Sequence, residues 1–363
     1  MEIYPPICNL IDYLSINSTD KIIVISTKNE KSKKLGSYKN NSKKVIIKRS
    51  DTIVSSSVLR ILRYLFFYLN SFQLLLKYAP KSVLYFDTIS SWPALMYKKI
   101  KRSKIKLMAH YHEYCSPQEY ANNMLLIKAF HRMEAKMYPH SYHWISQTNE
   151  VRLQKMVYDN HLESIEQSVF HTMPNYPSKF WAKSKTNHEI SKKIRLVYVG
   201  SLGYDTTYLK ELTEWVVKNK TDVTLDFYSH NVDEKAKSFL ASVKEDTIQF
   251  HGSINYTQLP KVLINYDIGL VLYKPVSENW IHNAPNKVFE YIACGLDVWF
   301  SKTITYTITV ARESTFPKII AVNFENLNEF DFEKAIDRGG LCYKENNFFY
   351  ENVYHEILTE ISK

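Results

Sequence analysis

Residues 283–295 read Asn-Ala-Pro-Asn-Lys-Val-Phe-Glu-Tyr-Ile-Ala-Cys-Gly, and three of their side chains can do chemistry if the segment opens a helix. Asn286 and Glu290 stand four apart, so a helix sets them one above the other, and Lys287 adds a cation alongside. The unpaired backbone N–H groups of a first helical turn already favour negative charge. Together these parts suit a diphosphate, with Glu290 one turn on and placed to accept hydrogen bonds from sugar hydroxyls. Pro285 fits the first helical position, where its missing N–H is no loss, and Gly295 fits just past the end, where a left-handed backbone is wanted. A Lys and a Glu on such a helix are also ordinary surface charges. The segment therefore gains its meaning from what stands around it.

A run that reads as a strand, Ile194–Val199, leads into Gly200-Ser201-Leu202-Gly203, a turn in which two positions lack Cβ and the backbone can approach a ligand. In open parallel sheets, ligands gather beyond the carboxyl ends of the strands. A plain strand-to-helix turn uses the same residue types, so the pairing of this turn with Asn286–Glu290 is what points to binding. Earlier in the chain, His110-Tyr111-His112-Glu113 follows a strand reading at Ile105–Ala109. A histidine there can hydrogen-bond a sugar, and the adjacent carboxylate can orient it or accept a proton from a hydroxyl. Two histidines two residues apart also suit a strand edge with satisfied rings.

The elements that must position these residues alternate. Lys21–Ser26, Val45–Lys48, Val83–Phe86, Ile105–Ala109 and Tyr142–Ser146 read as strands with helices between them. The pattern breaks at Met173–His188, where Pro174 and Pro177 punctuate a polar stretch. It then resumes with strands at Ile194–Val199, Val223–Tyr228, Ile248–Phe250, Ile268–Tyr273 and Val298–Phe300, and helices between them. The expectation is an α/β chain of two doubly wound domains: residues 1–173, a linker at 174–190, a second domain at 191–345, and a final helix at 346–363 that returns to the first domain. One irregularity stands at the start. The chain opens on a helix, Pro5–Leu14, where a doubly wound domain begins with a strand, so either the first strand is lost through a misplaced start or the sheet is built differently.

With 363 residues, 45% hydrophobic and 14% aromatic, the chain is globular, and no run of some 18 apolar residues marks a membrane span. Its four cysteines, Cys8, Cys115, Cys294 and Cys342, lack metal-type spacing and suggest reduced thiols in a cytoplasm. Charge is uneven: residues 1–110 hold 20 Lys and Arg against 6 Asp and Glu, a net of +14, whereas the whole chain carries +10. No zinc-finger spacing or other nucleic-acid module accompanies this excess, which leaves an anionic lipid surface or an anionic acceptor as the partner. In residues 56–78, Arg60, Arg63 and Lys77 mix with Leu59, Leu62, Leu65, Phe66, Leu69, Phe72 and Leu76 near helical spacing. Such a stripe serves either as a packed helix or as one lying on a membrane surface.

Several blocks, taken in order, resemble the GT-B glycosyltransferases, most closely the family 4 type of bacterial surface polysaccharide synthesis: LMAHYHEY, TMPNYP, LVYVGSLG, HGSINYTQLPKVLINYDIGLVLY and NAPNKVFEYIACGLDVW. The resemblance spans nearly the whole chain and implies two Rossmann-like domains facing a cleft. It also implies transfer of a hexosyl group from a UDP- or GDP-linked donor to a lipid-linked glycan, in capsule, O-antigen or exopolysaccharide assembly. By the same comparison Glu290 holds the donor ribose and the Val288 backbone nears the diphosphate. Asn283, Asn286, Lys287 and the turn Gly200, Ser201, Leu202 and Gly203 complete the donor side, and His112 and Glu113 lie toward the transferred sugar. No metal cofactor is expected, and the location implied is the cytoplasm, with peripheral association at the inner face of the membrane. The chain departs from the family twice. A retaining member carries Glu eight residues ahead of the ribose-binding Glu, where this chain has His282, and no cation follows the glycine turn until Lys210. These departures keep a second reading open: a catalytically silent GT-B subunit, or a glycan-binding partner of another transferase.

Overall fold

The computed structural model describes residues 4–28, 38–182 and 192–363. They form two compact units, Met1–Pro174 with Tyr350–Lys363, and Asn175–Phe349. All pairings between named strands are parallel among the described residues.

The first unit runs α1 (Pro5–Asn17), β1 (Ile22–Lys28), β2 (Val45–Asp51), α2 (Ser57–Tyr78), β3 (Ser82–Phe86), α3 (Ser91–Lys101), β4 (Lys106–Tyr111), α4 (Pro117–Ala121), α5 (Leu125–Ser141), β5 (Tyr142–Gln147), α6 (Glu150–Asp159) and β6 (Phe170–Thr172). Strands β3, β4, β5 and β6 form one sheet in that order, and β1 pairs with β2 in another. Strand β4 continues to Tyr111, two residues beyond the Ile105–Ala109 reading, because His110 and Tyr111 keep the register opposite Ser146 and Gln147 of β5. The chain's last helix, Tyr354–Ser362, packs on α1 in a cluster with Leu10, Leu14, Met108 and Trp144, and the Tyr354 hydroxyl donates to the Pro6 carbonyl at 3.1 Å.

A polar network lies inside this unit. Glu134 of α5 is fully buried; its Oε1 accepts from the hydroxyls of Tyr85 (2.8 Å) and Tyr111 (2.9 Å), and its Oε2 from Thr88 (2.7 Å). Tyr142 and Tyr138 extend the chain of phenols at 2.6 and 2.8 Å. Burial and the neighbouring carboxylate hold these phenols well above the usual tyrosine range, so they stay neutral donors.

The second unit runs β7 (Ile194–Val199), α7 (Leu209–Lys218), β8 (Val223–Tyr228), α8 (Glu234–Ser242), β9 (Ile248–Phe250), α9 (Leu259–Leu263), β10 (Ile268–Val271), α10 (Glu278–Ile281), α11 (Asn286–Ala293), β11 (Asp297–Ser301), α12 (Thr305–Val310), β12 (Thr315–Phe316), β13 (Ile319–Val322), α13 (Phe332–Ile336) and β14 (Cys342–Tyr343). Its main sheet has the order β9-β8-β7-β10-β11-β13, with β7 at the centre. Leu196, Val197, Tyr198, Ile268, Leu270, Val298, Trp299 and Phe300 are buried, as expected of strands covered on both faces. Strands β6, β12, β13 and β14 lie outside the strand readings made from the sequence; three of these four are only two or three residues long, too short to show a period.

One close approach fixes α11 on the sheet. The Tyr291 ring lies against Gly269 of β10 so tightly that a Cβ at that position would stand 2.2 Å from it. Replacing Gly269 with Ala should displace that buried ring and cost about 1–3 kcal/mol, the usual scale of overpacking. Urea denaturation of the variant measures this, and an unchanged midpoint and slope would refute the packing constraint.

Candidate functional site

Helix α11 begins at Asn286 and is preceded by Pro285 in an extended conformation at the N-cap, one position earlier than its sequence reading as the first helical residue. The shift has a simple cause: Pro285 offers its carbonyl to the Val288 N–H at 3.0 Å, which starts the turn. Cys294 caps the end, and Gly295 follows at φ +76°, the left-handed conformation that a glycine adopts without Cβ strain.

Within the first turns, Asn286 Nδ2 donates to Glu290 Oε1 at 2.7 Å and the Lys287 ammonium donates to Glu290 Oε2. Glu290 is 1% exposed. Its carboxylate is thus not sealed among aliphatic groups but held by an amide and a cation from its own helix, one on each oxygen. The Lys287 ammonium also lies 6.0 Å from the centre of the Tyr256 ring. Val288 is buried, with its N–H already engaged at Pro285.

The glycine turn lies at the same end of the sheet. The N–H of Val199, last residue of β7, donates to the Tyr291 hydroxyl at 3.0 Å, which ties the strand leading into Gly200 directly to α11. In the turn, Gly200 N–H donates to the Tyr228 carbonyl (3.1 Å), Leu202 N–H to the Asn231 carbonyl (2.9 Å) and Tyr204 N–H to the Asp233 carboxylate (2.9 Å). The alternate N–H groups of Ser201 and Gly203 donate to nothing among the described residues. The protein's own packing also calls for glycine at 203: a Cβ there would meet the Thr206 hydroxyl at 2.2 Å.

His282 follows α10, and Asn283 N–H donates back to the Trp280 carbonyl at 3.3 Å. The Thr305 hydroxyl donates to the Ile281 carbonyl (3.1 Å) and lies 3.0 Å from His282 Nδ1. A hydroxyl has one proton to give, so His282 Nδ1 is the donor to Thr305. His282 is therefore positioned by the start of α12, a partner with no local signal in the chain.

In the first unit, His110 and His112 separate in role. His110 is a buried residue of β4, its Nδ1 3.0 Å from the Ser146 hydroxyl and its ring edge-on to Phe86. The His112 ring contacts Tyr4 at 5.1 Å between centres, and its Nδ1 has no partner among the described residues. Burial holds both rings below the usual histidine range, so both are neutral near pH 7. Glu113 is exposed and lies 3.9 Å from Arg152, which is itself buried and donates to the His112 carbonyl (3.1 Å) and Thr148 hydroxyl (3.0 Å). Burial lowers Arg152 to about 10.

No protein-family model matches the chain, and no curated protein matches its sequence. Solved structures do match, over nearly its full length. The lipopolysaccharide outer core galactosyltransferase WaaB in its apo form aligns with a TM-score of 0.64 at 13% identity, covering 98% of this chain and 94% of that one. Alr3699/HepE of Anabaena in complex with UDP gives 0.64 at 10% identity over 99% and 96%. A glycosyltransferase from Rickettsia africae gives 0.60 at 14% identity over 99% and 94%. The chain has the GT-B fold.

In this GT-B chain the sequence reading missed Asp87, just past β3, and Arg152 of α6, which frame His112 and Glu113. Asp87 takes a positive φ of 55°, and its Oδ1 accepts the N–H groups of His112 (2.7 Å) and Glu113 (3.4 Å). The residue as a whole keeps some exposure, but burial of the carboxylate pushes it up to about 7 despite those two amides. A lone Asp after a short strand carries no sequence signal of such a role. A carboxyl raised from its ordinary value binds its proton more tightly folded than unfolded, so its contribution to stability is complete below about pH 4 and falls as pH rises toward 7. Asp87→Asn should retain an acceptor for both amides and flatten that fall, by at most about 4 kcal/mol. Denaturation midpoints from pH 4 to 8 check this; parallel curves for the two proteins would exclude a raised Asp87.

Proposed function

We propose that the protein transfers a sugar from a nucleoside diphosphate donor held on the second unit. The observation that carries the reading is the bond from Val199 to Tyr291, which brings the Ser201 and Gly203 N–H groups and the N-terminus of α11 to one end of one sheet. Backbone N–H groups and a helix terminus in that arrangement stabilise a diphosphate as bound substrate and, more so, as the departing group in which negative charge builds. Lys287 supplies a cation in the first turn of α11, and Glu290 offers the ribose hydroxyls the remaining acceptor sites of its carboxylate. On the first unit, His112 is a neutral ring with a nitrogen to spare, suited to hydrogen-bond the transferred sugar, and Glu113 is an exposed carboxylate able to orient an acceptor hydroxyl. The fold shared with WaaB and with HepE in its UDP complex supports UDP as the first donor to try.

Titration calorimetry with UDP, GDP and their hexose conjugates is the direct test. Binding of one nucleotide is expected, with Glu290→Ala weakening it about 10- to 150-fold, the range of a lost charge-assisted hydrogen bond. Unaltered affinity in that variant would remove Glu290 from the site, and no binding of any nucleotide would remove the proposal. The engagement of Glu290 by its own helix, and of His282 by Thr305, favours a second reading in which the fold persists without catalysis as a partner of another transferase. A protein that binds nucleotide but shows no turnover of nucleotide sugar with any glycan lipid would support that reading.

The acceptor side is proposed to meet an anionic membrane through α2. Val58 (67% exposed), Leu62 (54%) and Phe66 (69%) stand in solvent on that helix, and Arg60 and Arg63 lie among them. Apolar groups that insert and cations that meet lipid phosphates reinforce one another at such a surface. No helix among the described residues is long and apolar enough to cross a membrane. Flotation with vesicles containing phosphatidylglycerol should recover the protein, and Phe66→Asp with Leu62→Asp should reduce recovery at least severalfold. Equal recovery on neutral vesicles would remove the electrostatic half of the proposal, and equal recovery of the variant the apolar half.

A further inference from the structure

Asp87 holds the chain where it leaves β4. Its N–H donates to the His110 carbonyl at 3.0 Å, which carries the β3–β4 ladder one step past Phe86. Its Oδ1 then takes the N–H groups of His112 (2.7 Å) and Glu113 (3.4 Å). From the other side, Arg152 of α6 donates to the His112 carbonyl at 3.1 Å. The peptide group joining His112 to Glu113 is thus gripped at both its N–H and its C=O, and it cannot turn without breaking one of these bonds.

That work occupies one carboxylate oxygen. Oδ2 has no hydrogen-bond partner among the described residues, and Asp87 keeps some exposure at the carboxyl end of the sheet. The backbone adds a second sign. At φ 55° and ψ 154°, Asp87 lies close to a region that glycine enters freely and other residues rarely adopt. Glycine at 87 would relieve that strain but supply no carboxyl, so the fold keeps the carboxyl in spite of the backbone. Residues held in this way gather at reacting sites.

A general base must be fixed in place, must have an oxygen or nitrogen to offer, and works best when its proton affinity suits the working pH. The Glu113 side chain is 56% exposed and lacks the first quality. His112 is the weaker base, because burial lowers its affinity for a proton. Asp87 is anchored by two amides, and burial, with Glu113 and Glu134 adding to it, pushes its carboxyl up to about 7 against their pull. The other groups that act on it or are acted on by it are Tyr4, Cys115, Tyr120 and Arg152; burial raises the two phenols and the thiol, which stay neutral, so Arg152 is the cation among them. We propose that Asp87 is the general base for the acceptor: Oδ2 takes the proton of the acceptor hydroxyl as that oxygen bonds to the anomeric carbon, and the electron pair of the breaking bond to phosphate leaves with the nucleoside diphosphate. The proton then passes from Asp87 to water. This assignment rests on the sugar transfer proposed above, and it leaves His112 and Glu113 the orienting roles given there.

The test uses the intact chain, the nucleotide sugar that binds it in calorimetry, and glycan lipids extracted from its own cells, with transfer read as release of nucleoside diphosphate. Since only the ionised carboxyl takes a proton, kcat should fall about tenfold per pH unit below about 7. Asp87→Asn keeps an acceptor for both amides; it should lower kcat about 10²- to 10⁴-fold, lose that acid limb and leave KM within about threefold. Glu113→Gln should keep the limb. An Asp87→Asn protein with kcat within about threefold of the parent, or with the limb intact, overturns the assignment. Carbon-13 NMR of the aspartate carboxyls gives a readout apart from turnover: one resonance should titrate near pH 7 and vanish in Asp87→Asn, and a parent protein without it overturns the assignment too. A parent protein that turns over no nucleotide sugar removes the transfer reading and this one with it, whereas an active parent with an equally active Asp87→Asn removes this one alone.

Discussion

The approach of Tyr291 to Gly269 is the constraint on which the candidate donor site rests. With no Cβ on β10, the ring settles onto the strand, and its hydroxyl reaches the N–H of the last residue of β7. A helix is thereby located by two neighbouring strands at once, along the direction that sets where its amino end falls. Everything attributed to Asn286, Lys287 and Glu290 depends on that placement, because helix-terminal N–H groups act over only a turn's length.

Within each unit the charges of the candidate residues are arranged in closed pairs and not as an open field. Lys287 faces Glu290 in the second unit; in the first, Arg152 faces Glu113, and His110 and His112 are neutral. Potential for an anion then comes chiefly from backbone N–H groups, which are fixed in direction by the fold and need no reorganisation when a ligand arrives. The +14 of residues 1–110 lies in the other unit, the one that bears the exposed α2.

Much of this was legible in the chain itself. The alternation of apolar runs gave most strands of both units, because parallel strands covered on two faces read as uninterrupted Val, Ile and Leu. The helix read at Pro285–Cys294 and found at Asn286–Ala293 was legible through its flanking Pro and Gly, residues whose backbone limits act locally, and the error at Pro285 was one position. Relations between distant residues were not legible. Nothing local marks Gly269 as the seat of a ring 22 positions on, Asp87 as the acceptor for amides 25 and 26 positions on, or Thr305 as the partner of His282. Nor does anything local show that a Cβ at Gly203 would meet Thr206. The two histidines also needed the sheet to part them, since the strand's true end at Tyr111 places one inside and one beyond.

The buried carboxylate of Glu134 has a consequence for how this chain can change over evolutionary time. Its two oxygens are satisfied by hydroxyls from three separate places, Tyr85, Thr88 and Tyr111. Losing any single one leaves a buried carboxyl group with an unmet hydrogen bond in an apolar interior, whereas exchanging the whole set for hydrocarbon of the same volume carries no such cost. Drift at these positions is therefore blocked one step at a time and open only to concerted replacement. Descendants of this protein should keep the entire cluster or none of it.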